Sequence, residues 1–128
     1  MKNNLVQEKS FDFALKIIGL YNRLIENNEY VLSKQLLKAG TSIGANVEEG
    51  IAAQSRKDFL SKMSIAAKEA REARYWLRLL DQAGVAKIDY TDYLHDINKL
   101  IKILTSIVKT TSEFFKRNDN PKSKIQNS

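Results

Sequence analysis

A basic line runs through the middle of the chain: Lys57, Ser61, Ser64, Lys68, Arg71, Tyr75 and Arg78. Alternating steps of four and three place these residues along one face of a helix. Lysine and arginine neutralise phosphates, and a tyrosine set among them can stack on a base. Lys57, Lys68, Arg71, Tyr75 and Arg78 are therefore the candidate nucleic-acid contacts. The competing reading is a solvated face held by i, i+4 pairs such as Lys68–Glu72, the common fate of a charged helix face.

Metal chemistry fits the chain poorly. A di-metal site in a helix bundle needs a Glu from each of two helices and Glu-x-x-His from the other two. Glu49, Glu69 and Glu72 are present, but the single histidine, His95, has Leu94 before it and Asp96 after it. No Glu-x-x-His occurs, so neither a metal nor a cofactor is expected.

Nucleophilic catalysis fares no better. The absence of cysteine excludes a disulfide scaffold, a thiolate zinc site and a cysteine nucleophile. No serine lies in a Gly-x-Ser-x-Gly context. Gly40, Gly44 and Gly50 fall inside helical periodicity, not in a loop that could cradle phosphate. The chain reads as a non-enzyme.

The elements that position these residues follow from the apolar spacing. At 128 residues, 43% hydrophobic and 28% charged, the chain suits one globular domain. Strand alternation is missing, and apolar residues recur at three and four. The first predicted helix, residues 11–27, carries two lines: Phe11, Ala14, Ile18, Tyr21, Ile25 and Phe13, Ile17, Leu20, Leu24. Two lines make a face wider than one partner helix needs. The second, residues 29–53, has the line Leu32, Leu36, Ala39, Ile43, Asn46, Gly50, Ala53. Its glycines each cost about 1 kcal/mol against Ala, which predicts close approach of a neighbour, such as the alanines of the third helix. Asn46 interrupts an apolar line and is expected to fix register as a buried polar contact, with Glu49 one turn on in the same network.

Ser55-Arg56-Lys57-Asp58 predicts a capping box opening the third helix, and Gly84 its C-terminal stop. The core line there is Phe59, Met63, Ala66, Ala70, Ala73, Leu77, Leu80. Asp89-Tyr90-Thr91-Asp92 predicts a second box, followed by Ile97, Ile101, Leu104, Val108, Thr111 and Phe115. The expected fold is an all-α, antiparallel up-down-up-down four-helix bundle over residues 11–116. Residues 1–10 are expected to be an N-terminal extension and residues 117–128 a disordered basic tail. The net charge of +6 favours an anionic partner, and half of it falls in residues 116–128.

The third helix is predicted to overhang the shorter first one, which suggests burial against another copy. Phe13, Ile17, Arg74, Trp76 and Leu79 are the candidate oligomer contacts, since Trp and Arg favour interface centres. No apolar run reaches membrane length, and Met1 to Lys9 carries no signal-peptide core. A cytoplasmic protein without membrane contact is the expectation.

Residues Ser42 to Gly50, Ser55 to Phe59, Lys68 to Glu72 and Tyr75 to Leu80 together resemble a known family. It comprises the small four-helix bundle proteins encoded in intervening sequences of bacterial 23S ribosomal RNA genes. The resemblance spans about residues 10–115; Glu48 departs from it, standing where the family more often has a small residue. It implies a ring assembly, typically a homopentamer, and kinship with the accessory protein of diversity-generating retroelements, which binds RNA and a reverse transcriptase. The combined expectation is a non-enzymatic homo-oligomer that binds RNA or assists a partner that does. The alternative is a protein-binding scaffold with no nucleic-acid contact.

Overall fold

The computed structural model describes residues 2–118. They form four helices, α1 (Lys2–Glu26), α2 (Leu32–Ile51), α3 (Arg56–Ala83) and α4 (Thr91–Asn118). Each helix packs on two neighbours in a closed square, α1 on α2 and α4, and α3 on α2 and α4. The diagonal pairs stay apart. Short connections between successive helices make this the up-down-up-down arrangement that the periodicity predicts.

The helix ends are set by local chemistry. Asn28 adopts the left-handed conformation, φ 64°, and turns the chain after α1. Glu29 then caps α2 from a distance: its carboxylate accepts the Leu32 N–H at 2.7 Å and the Ser33 N–H at 2.8 Å. The Ser33 hydroxyl donates back to the Glu29 carbonyl at 2.7 Å. These bonds and the positive end of the helix compensate a carboxylate whose residue is only 8% exposed. The Ser55 hydroxyl accepts the Asp58 N–H at 3.1 Å, the N-cap half of the expected capping box without the return bond from Asp58, and Gly84, φ 61°, stops α3 as expected. Asp89 behaves differently. Its carboxylate accepts the Thr91 N–H at 3.0 Å and hydroxyl at 2.6 Å, an Asx turn into α4 instead of a capping box. Both bonds favour the charged form and hold the Asp89 carboxyl below its usual range.

Two boundaries differ from expectation. Residues 2–10 are not an extension but the first turns of α1, with Val6 and Ser10 buried. Ser10 hides the pattern, because a polar residue interrupts the line Val6, Phe13, Ile17, Leu20, Leu24. Its hydroxyl is satisfied by the Gln7 carbonyl at 3.2 Å. At its other end the bundle runs on through Arg117 to Asn118; the remainder of the expected tail lies outside the described residues. The longer α1 removes the overhang: 25 residues against the 28 of α3 are about 37 and 42 Å at 1.5 Å per residue.

Three glycines in α2 permit close packing, mostly against α1 and not against the alanines of α3. A Cβ built on Gly40 would lie 3.0 Å from Ile17 Cγ2, and one on Gly44 would lie 3.5 Å from the Ser10 carbonyl oxygen. Only Gly50 meets α3, at 3.2 Å from Met63 Cε. Gly19 in α1 faces open space. Opposite effects on stability follow for the two Gly→Ala changes. Gly19→Ala should stabilise by about 0.5–1 kcal/mol through helix propensity alone. Gly40→Ala should destabilise by about 1 kcal/mol, because overpacking against the fully buried Ile17 exceeds that gain. Urea denaturation of both variants checks the pair of signs.

Candidate nucleic-acid interface

An open groove of about 720 Å³ runs between α2 and α3. Gln35, Lys38 and Ala39 form the α2 wall; Lys68, Glu69, Arg71, Glu72, Tyr75 and Trp76 form the α3 wall. Room exists there because Ala39 is buried and ends at its Cβ. Trp76 is half-buried and packs against the core, while Tyr75 is 55% exposed. The two rings meet edge to face, with centroids 5.2 Å apart and planes at 68°. One aromatic is thus anchored and holds the other at the mouth.

The groove's charges are not paired off. Among the described residues the ion pairs are Lys16–Asp96 and Lys62–Glu49. The Lys68–Glu72 pair considered for a solvated face does not form, and Lys38 and Lys68 hold no carboxylate within ion-pair distance. Glu69 is pushed above its usual range, first by burial and then by the neighbouring Glu72 carboxylate. The charges of Lys68 and Lys38 oppose that shift only in part.

Of the expected contacts, Lys68, Arg71 and Tyr75 converge here. Arg71 sits at the rim and turns toward α4, donating to Thr105 Oγ1 at 3.3 Å. Arg78 is exposed one turn beyond Tyr75. Lys57 is exposed in the first turn of α3, about 16 Å along the axis from Lys68, and does not join the groove. Lys38 and Gln35 were not anticipated. The Lys34–Lys38 spacing on α2 was the available signal, but only the rotation of α2 against α3 brings Lys38 to the site.

The expected oligomer contacts divide. Phe13 and Ile17 are fully buried inside their own bundle, so they are core residues and not subunit contacts. Of the other line of α1, Phe11, 64% exposed, and Ile18 face out beside Leu15, while Ala14, Tyr21 and Ile25 are half-buried. Arg74 is occupied within the chain, donating to Asn98 Oδ1 at 3.2 Å. Trp76 and Leu79 remain half-exposed.

Asn46 is half-buried, and its amide donates to the Ser42 carbonyl at 2.9 Å, one turn back in α2. It bridges no helices and does not fix register. Glu49 is exposed and pairs with Lys62 at 3.1 Å instead of joining Asn46. Among the described residues no three His, Asp or Glu gather into a group that could hold a metal ion. No described helix is long and apolar enough to cross a membrane.

The family described as "23S rRNA-intervening sequence protein" matches residues 2–106. The chain belongs to this family. A crystal structure of a protein of unknown function from the S23 ribosomal protein family of Bacteroides thetaiotaomicron is similar, at 47% identity and a TM-score of 0.81. The match covers 85% of this chain and 99% of that one. A search of curated proteins finds no match.

In this intervening-sequence protein the whole groove falls inside the family match. Its Glu69 makes a pH-dependent prediction. A carboxyl raised in the folded state binds more protons there than in the unfolded chain. Stability should therefore fall as pH rises from near 4.5, its ordinary value, through the raised folded value. Glu69→Gln should raise the melting temperature at pH 7 relative to wild type, and the advantage should vanish near pH 4. Thermal melts across this range check it.

Proposed function

We propose that this intervening-sequence protein is a non-enzymatic homo-oligomer that binds nucleic acid, RNA above all, or presents it to a protein partner in the cytoplasm. The observation that carries the reading is the α2–α3 groove, which Lys38 and Lys68, in no ion pair among the described residues, line together with an exposed Tyr75. Unpaired lysines suit phosphates, and an outward ring suits a base. A ring of copies, the homopentamer that the resemblance implies, would multiply a site too small to bind tightly alone. The exposed stripe Phe11, Leu15, Ile18 supports self-association, since apolar patches of this kind mark contact surfaces. The same stripe favours the second reading, a scaffold that binds only protein.

Two measurements test the proposal. Light scattering should give a multiple of the 14.6 kDa chain mass; the mass of a single chain overturns the assembly. Fluorescence anisotropy with labelled RNA should show affinity falling steeply with salt, by about 0.7 in log–log slope per phosphate neutralised on a single strand. Changing Lys68, Arg71 and Arg78 together to Gln should remove most binding while the oligomer stays intact. Unchanged RNA affinity in that variant moves the protein-scaffold reading ahead.

A further inference from the structure

The groove contains more than a phosphate site needs. Glu69 and Glu72 would repel a bare polyanion, yet they line the same groove as the lysines and the aromatic pair. Ionised carboxylates only accept hydrogen bonds, so they call for a ligand that presents N–H groups. Lys38 and Lys68 call for negative charge, and the outward ring of Tyr75 calls for a flat partner. A nucleotide carries all three features, and the volume of about 720 Å³ lies within the usual range for small-molecule sites.

We propose that the α2–α3 groove is a base pocket for single-stranded RNA, in which one unstacked guanine lies against Tyr75 with its N–H edge on Glu69 and Glu72 and its phosphates on Lys38 and Lys68. The proposal rests on the nucleic-acid reading above and deepens it. Single-strandedness follows from access: in a duplex both faces of a base are stacked and its edge is paired. Guanine follows from the acceptors. Its ring N–H and exocyclic amine are adjacent donors. Adenine and cytosine set a ring acceptor beside the amine, and uracil flanks its one N–H with two carbonyls. Guanine alone sets two donor groups side by side, with its O6 acceptor at the far end of the edge, and so suits carboxylates best.

Trp76 is the only tryptophan and lines the groove, so its fluorescence reports from the site itself. Guanosine monophosphate should change Trp76 emission at about millimolar concentration, with adenosine and uridine monophosphates and ribose 5-phosphate several-fold weaker. In anisotropy titrations a guanine-containing single strand should bind tighter than a uridine-only strand or a duplex. Tyr75→Ala, at an exposed position, should weaken the guanine strand about tenfold, within the range for loss of one stacked base. Glu69→Gln with Glu72→Gln should erase the guanine preference.

If the wild type binds RNA but Trp76 ignores the mononucleotide and Tyr75→Ala changes nothing, the pocket is overturned and the broader reading stands. If the mononucleotide gives the Trp76 response but no RNA binds, the base pocket survives as a nucleotide site and the RNA function falls. Silence in both measurements overturns both.

Discussion

Close packing of small residues governs this bundle. Gly40 against Ile17 and Gly50 against Met63 set how near α2 lies to its two neighbours. On α3, Ala66, Ala70 and Ala73 form a fully buried seam without long side chains. Tight approach at the seam brings the flanks of α2 and α3 together, so Lys38 of one helix opens onto the same groove as Glu69 and Trp76 of the other. Larger residues in the seam would spread the walls and separate the lysines. The groove's chemistry is thus a consequence of residues that carry no chemistry themselves.

The fold was legible because its signals were redundant. Ser55 and Gly84 marked ends that periodicity had already suggested. The errors came from single residues read against an ideal period. Asn46 belongs to a heptad line anchored on the apolar Leu32, because Ser33 is polar and does not look like a core position. The buried line starts one residue later, at Ser33, and runs through Leu36, Gly40, Ile43, Val47 and Gly50, while Leu32 and Asn46 both lie half-buried on its flank. On α1, two apolar lines were visible, and spacing alone did not tell which one the chain buries. Phe13 and Ile17 face the core and Phe11 and Ile18 face out because α2 and α4 both pack on the former side.

The site was half legible for a related reason. Residues on one helix share a face by arithmetic, so Lys68, Arg71 and Tyr75 could be grouped from spacing. Lys57 fell out because a face is long as well as narrow. Lys38 was missed because cross-helix neighbours depend on rotation about both axes, which periodicity determines to no better than the width of a side chain. Arg71 and Arg74 show a further limit: each forms a hydrogen bond to α4, within the chain.

The proposed assembly and the proposed ligand site would place different demands on the surface, and the square arrangement offers each its own face. The exposed stripe of α1 and the outer face of α3 lie on diagonal helices that do not touch. A contact between two identical stripes pairs two copies and stops there, whereas a closed ring needs two different surfaces on each copy. A second apolar opening exists between α1 and α4, lined by Leu5, Ile103 and Ile107. It too lies away from the α2–α3 groove. A ring built through the α1 stripe and the α1–α4 opening would leave every groove free. Tyr75, which no core contact requires to be aromatic, would then be exposed once per copy around the assembly.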